Sequence, residues 1–223
     1  MEAYAAVSLA VGLGGGAGLA LAFDAPVVAE ACGLGAVAAV EDVDVRVEGR
    51  GLLYSSKPLA AMLAEIVNDA YAEGEANIDV ESVVERFLAS YELPVASLAG
   101  SSVVAAGARF PLLDLAGYWV VAIRPPGGLA APDGILLVDE YRVYDALDLG
   151  VEGIDRIGRL QAEALGPWAL SLRRRLLREG AEAVVFDAYG GLVLAVAESA
   201  ERAFILSSRA RGLGRRFEAP IVA

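Results

Sequence analysis

The chain has 223 residues, a formal net charge of −12, no histidine and one cysteine, Cys32. The acidic balance excludes a nucleic-acid binder, which needs a basic face to release counterions. The absence of histidine excludes Ser-His-Asp and Cys-His catalysis and histidine metal sites, and a lone cysteine forms neither an intrachain disulfide nor a thiolate zinc site. Chemistry is left to carboxylates, hydroxyls, backbone amides, arginines and Lys57, the only lysine among 18 basic residues. An apolar fraction of 57% is ample core for one large or two small domains. Asparagine is limited to Asn68 and Asn77 and glutamine to Gln161. That depletion of thermolabile residues fits either a high-temperature organism or a biased genome.

Ala3 to Phe23 carries no charge and is long enough to span a bilayer. Gly12, Gly14, Gly15, Gly16 and Gly18 crowd its middle, however, no Lys or Arg flanks it, and the chain opens Met1-Glu2. Two buried strands, Ala5–Ala10 and Leu19–Phe23, joined by a glycine turn fit it better than a membrane span or signal peptide. No membrane association and a cytoplasmic location are expected. Further strand signals lie at Val27–Cys32 and Val43–Val47.

Gly49-Arg50-Gly51-Leu52-Leu53-Tyr54-Ser55-Ser56-Lys57-Pro58 then opens into a helix over Pro58–Glu73. Its apolar face is Leu59, Met62, Leu63, Ile66, Val67 and Ala70. Pro58 suits the first helical position. A glycine-serine turn before a helix N-terminus aims free N–H groups at one point and can hold phosphate. A serine N-cap on an ordinary helix is the alternative. The segment is not a Walker A loop, because Ser56 stands where that loop needs glycine and Pro58 where it needs a metal-binding hydroxyl.

A second helix, Asp79–Ser90, carries Val80, Val83, Val84, Phe87 and Leu88 on one face. A strand follows near Val103–Ala108, and Asp114-Leu115-Ala116-Gly117 is the expected seam between two halves. Beyond it come a strand at Tyr118–Ile123, helices at Asp139–Leu147, Gly153–Leu165 and Pro167–Glu179, and a hairpin of Ala183–Asp187 with Leu192–Val196. A helix at Glu198–Arg211 and a strand at Phe217–Val222 close the chain. This is a βαββαβ order, the ferredoxin-like arrangement, with its first helical slot expanded.

Four features occur in order: the glycine-rich turn at Gly12–Gly18, the Gly51–Lys57 turn, the Ala96-Ser97-Leu98-Ala99-Gly100-Ser101 turn, and Gly190-Gly191 in the hairpin. With the βαββαβ half behind them, they resemble the GHMP small-molecule kinases, and within these the archaeal shikimate kinases. The N-terminal run from Ser8-Leu9-Ala10 through Gly14–Gly18 to Leu21-Ala22-Phe23-Asp24 is similar to that family's opening strands.

The resemblance implies a two-lobed α+β fold, with a ribosomal-S5-domain-2-like nucleotide-binding half over residues 1–116 and a ferredoxin-like half over 117–223. It implies transfer of a phosphoryl group from ATP, with Mg2+, to a small-molecule hydroxyl, shikimate first, with a homodimer as the candidate assembly. A retired GHMP-fold protein serving as a binding or assembly module is the alternative. Gly49, Gly51, Ser55, Ser56 and Lys57 fall on the phosphate loop; Gly14, Gly16, Ser97, Asp187 and Gly190 fall on substrate-binding positions. The chain departs from the family in three ways. It is shorter than the family, with a hairpin or helix missing before Gly51, Leu53-Tyr54 interrupts the serine run, and the position of the catalytic aspartate holds Leu93. Glu92 beside it is the catalytic candidate if its turn points the carboxylate inward, and Asp187 is the next. The Arg173-Arg174-Arg175 run reads as the wet face of its helix.

Overall fold

The computed structural model describes residues 1–12, 17–32, 44–75, 77–88, 92–126, 137–138, 140–189 and 191–223. Strands β1 (Glu2–Gly12) and β2 (Ala17–Cys32) form the antiparallel hairpin expected of the uncharged N-terminus. Every residue from Ala5 to Ala10 is buried, so β1 has protein on both faces, which is why its sequence does not alternate. The two strand signals at Leu19–Phe23 and Val27–Cys32 prove to be one strand of 16 residues. Between them Asp24-Ala25-Pro26 makes a bulge rather than a turn: Ala5 pairs with Phe23 and Tyr4 already with Pro26. A bulge adds residues to one strand and tolerates proline, so the chain bends without reversing.

β3 (Asp44–Glu48) pairs with the far end of β2. α1 (Pro58–Ala72) buries Leu59, Leu63, Ile66 and Val67, as its spacing requires. α2 (Val80–Phe87) is capped by Asp79, whose carboxylate accepts the Glu81 N–H at 3.2 Å. α3 (Glu92–Ala99) replaces the turn expected there. It is buried all round, and a helix without a wet face carries no amphipathic period to read. The single strand expected near Val103–Ala108 is a hairpin of β4 (Ser102–Ala105) and β5 (Ala108–Pro111). Its two turn residues, Ala106 and Gly107, both have positive φ, and alanine there hides the turn from a sequence reading.

The second half follows expectation closely: β6 (Trp119–Arg124), a short β7 (Leu137–Val138), α4 (Glu140–Leu149), α5 (Val151–Leu165), α6 (Pro167–Arg178), β8 (Ala183–Phe186), β9 (Val193–Ala197), α7 (Ala200–Arg209) and β10 (Arg215–Val222). β9 pairs with β8, β6 with β9 and β10 with β6, all antiparallel, which is the ferredoxin-like strand order. Alternation sorts its side chains. Val121, Ile123, Val184, Phe186, Val193 and Ala195 join Ala169, Leu176, Ala203 and Leu206 of the covering helices in one core. Val120, Ala122, Val185, Leu194 and Val196 join β1, β2, α1 and α3 in the other. The sheet therefore has helices on one face and the first half of the chain on the other. Among the described strands, β10 pairs with both β2 and β6 and carries one sheet through both halves. β1 is thereby pressed against the β8–β9 hairpin, and that contact positions the site.

Candidate active site

The glycine-serine turn folds as a short 3-10 helix, Arg50–Tyr54, followed by Ser55, Ser56 and an exposed Lys57. Its glycines are packing positions. A Cβ on Gly51 would stand 2.6 Å from the Ala25 carbonyl oxygen, and one on Gly49 would stand 2.6 Å from that of Pro26. Tyr54 stacks on Phe217 with ring centroids 5.0 Å apart and donates its hydroxyl to Arg216 O at 3.0 Å, while Arg50 lies over the same Phe217 ring. Neither serine caps α1. Ser55 donates to Gly51 O at 3.0 Å; Ser56 donates to Asp187 Oδ1 at 2.8 Å and accepts the Ser8 N–H at 3.1 Å. Both are buried, so this turn meets the end of β8 through one serine hydroxyl.

Asp187 begins the β8–β9 turn. Its backbone N–H donates to Leu192 O at 3.0 Å, and its Oδ1 accepts the Tyr189 N–H at 3.1 Å besides the Ser56 hydroxyl. The next residue, Ala188, donates its N–H to Ser8 O at 2.8 Å. Burial pushes the Asp187 carboxyl up to about 6, against the pull of those hydrogen bonds and of the Arg124 and Lys57 charges. The group therefore changes charge just below neutral pH, where a proton-transfer group is most useful.

On the other side of Ser8 lies Glu92. The first turn of α3 rotates it inward, and Ser8 donates its hydroxyl to Glu92 Oε1. Glu92 is buried, and loss of water raises its pKa more than the Ser8 bond lowers it. Gly18 gives it room: a Cβ there would stand 2.6 Å from Oε2 and 2.9 Å from the Glu92 Cβ. Leu93, which the resemblance sets against the family's aspartate, is 1% exposed in the main core.

Glu92, Ser8, Ser56 and Asp187 thus form one hydrogen-bonded chain drawn from four segments remote in sequence, with Lys57 at its rim. Ser97 is not part of it; its hydroxyl goes to Tyr4 O at 2.6 Å. Gly14, Gly16 and Gly190 lie outside the described residues. Arg173 pairs with Asp155 and is largely buried, whereas Arg174 and Arg175 are exposed, so only part of that run is a wet face. Sequence reasoning missed Ser8 as a carboxylate partner, Gly18 as the space for Glu92, Arg124, and Gln161. Ser8 carried a signal, as the one serine in an otherwise apolar buried strand. Among the described residues no cluster of three metal-ligating side chains occurs, and no helix is long and apolar enough to cross a membrane.

No protein-family model matches the sequence, and no curated protein does. Solved structures do match. A mevalonate kinase from methicillin-resistant Staphylococcus aureus superimposes with a TM-score of 0.60 at 14% identity, covering 100% of this chain and 98% of that one. A homoserine kinase from Cytophaga hutchinsonii gives 0.58 at 14% identity, covering 100% and 95%. A 4-(cytidine 5'-diphospho)-2C-methyl-D-erythritol kinase gives 0.58 at 15% identity, covering 100% of both chains. Over its whole length the chain has the fold of the GHMP kinases.

Proposed function

We propose that the chain is a cytoplasmic ATP-dependent small-molecule kinase with residues 1–116 and 117–223 as its two halves, and that shikimate is the acceptor. The observation that carries this reading is the convergence just described: the segments that resemble the family's motifs meet in one hydrogen-bonded chain, Glu92–Ser8–Ser56–Asp187. Phosphoryl transfer depends chiefly on positioning and charge stabilisation, and the groups present suit that. The N-terminus of α1 and Lys57 offer N–H dipoles and a cation to the phosphates of ATP. Arg124, whose Nε is buried with no hydrogen-bond partner among the described residues, adds a second cation on the side of Asp187. When bound, Mg2+ would neutralise charge on the phosphates. Asp187 is the better group to take the proton of the acceptor hydroxyl, because Glu92 already receives Ser8 and burial favours its protonated form.

A second reading is favoured by one observation. The Ser55 and Ser56 hydroxyls are already paired within the fold, and Leu93 is core, so the chain fits equally a GHMP-fold binding module without turnover. Thermal-shift measurements with ATP, ADP and shikimate, followed by a coupled assay for ADP release, separate the two. A kinase is stabilised by ATP and by shikimate and releases ADP only when both are present. Stabilisation without ADP release selects the binding module, and no stabilisation by any of the three rejects both. In the kinase, Lys57→Ala weakens ATP affinity several-fold while the melting temperature of the free protein stays the same.

A further inference from the structure

β8 is the edge strand of the sheet path, and an edge residue normally leaves its outward N–H and C=O open. At Phe186 a side chain fills that place. Gln161 of α5 accepts the Phe186 N–H on Oε1 at 2.9 Å and donates from Nε2 to Phe186 O at 2.7 Å, as a neighbouring strand would. The same Nε2 donates to Leu9 O of β1. Gln161 is 1% exposed, and both of its N–H groups and its oxygen are engaged. Leu9 follows Ser8 and Phe186 precedes Asp187, so this one amide fixes the spacing of the two backbones that carry the site.

We propose that Gln161 is a positioning residue, holding β1 and the end of β8 so that Asp187 meets Ser56 at hydrogen-bonding distance. The functional part of this inference rests on the reading of Asp187 and Ser56 as the reaction site. A carboxylate would place charge against two carbonyl oxygens, and an apolar side chain would leave Leu9 O and both Phe186 groups unpaired in the interior. The charged groups that act on Asp187 are Arg124 at the end of β6 and Lys57 ahead of α1. Gln161 itself bonds to the backbone of Leu9 and Phe186, so a change at Gln161 reaches Asp187 through the backbone.

The test follows the Asp187 carboxyl carbon by NMR through a pH titration, together with exchange of the Phe186 amide. In wild type the carboxyl titrates near 6 and the Phe186 amide is protected. In Gln161→Met and Gln161→Glu, looser packing admits water, the midpoint falls toward the ordinary aspartate range, and the Phe186 amide exchanges faster. kcat for phosphoryl transfer falls about tenfold or more, with KM for ATP little changed. An unmoved Asp187 midpoint in a folded variant overturns the proposal. Should neither variant fold, an unprotected Phe186 amide in wild type overturns it instead. A wild type that transfers no phosphate removes the kinase reading while the titration still decides the role of Gln161.

Discussion

Two buried carboxylates each receive a serine hydroxyl, on either side of the same strand residue, and they behave differently. Glu92 takes the Ser8 hydroxyl in the interior, and desolvation and hydrogen bonds account for its pKa shift. Asp187 takes the Ser56 hydroxyl and the Tyr189 N–H and feels Arg124 and Lys57 as well. Burial raises both. The cations and the backbone donor hold the Asp187 shift to about 6, whereas the Glu92 carboxyl is raised with hydrogen bonds alone to oppose its desolvation. A carboxylate in a closed site becomes a base where charges of opposite sign are within reach, and a hydrogen-bonded strut where they are not.

Leu93→Asp puts a third carboxylate into the core beside Glu92, and it breaks the comparison most severely. Leu93 is 1% exposed in the apolar core, so the new carboxylate is buried among hydrophobic side chains. The expected cost is about 4 kcal/mol or more, a fall in melting temperature of roughly 10 °C. A variant as stable as wild type would show that this stretch of α3 opens readily.

Asp187→Asn comes next. The folded pKa of about 6 lies above the ordinary 3.8, so the protonated group adds stability that is complete below about pH 4 and is lost as pH rises through 6. The loss amounts to about 3 kcal/mol by pH 7. The amide cannot ionise, so the variant should gain on wild type steadily between pH 4 and 7 in urea unfolding. Parallel stability curves for the two proteins would mean that Asp187 ionises as it does in water. Gly18→Ala should cost about 1–3 kcal/mol, since the new methyl meets both ends of a Glu92 side chain that has no free space to move into.

Glu92→Gln sharpens the contrast by doing little. A neutral amide oxygen accepts the Ser8 hydroxyl as a protonated carboxyl does, so stability at pH 7 should change by less than about 1 kcal/mol. A large gain confined to high pH would show Glu92 ionised in the fold. Smallest of all is Lys57→Ala: with one exposed cation removed, the Asp187 midpoint rises slightly, by less than about one unit, and the melting temperature stays put. An unchanged midpoint would leave Arg124 as the cation that matters.

Periodicity and punctuation in the chain were enough to determine α1, α5, α6, α7 and the β6–β8–β9–β10 order. Long apolar faces closed by Gly166, Gly180 and Gly214 admit few other arrangements, and local spacing is a property of the chain alone. The N-terminal hairpin was legible for the same reason, since an uncharged run broken by glycines reads as two buried strands. Four things belonged to the tertiary structure. The bulge at Asp24–Pro26 depends on how β1 registers against β2. α3 is helical inside a core that hides its period. Gly51, Gly49 and Gly18 stand where other backbones or a carboxylate press on them. The site itself is the fourth: Ser8, Ser56, Glu92, Gln161 and Asp187 are spread over most of the chain, and only the packing of β1 against the β8–β9 hairpin brings them to one place. Hydrogen bonds reach about 3 Å, and no spacing along a sequence encodes which distant residues will lie that close.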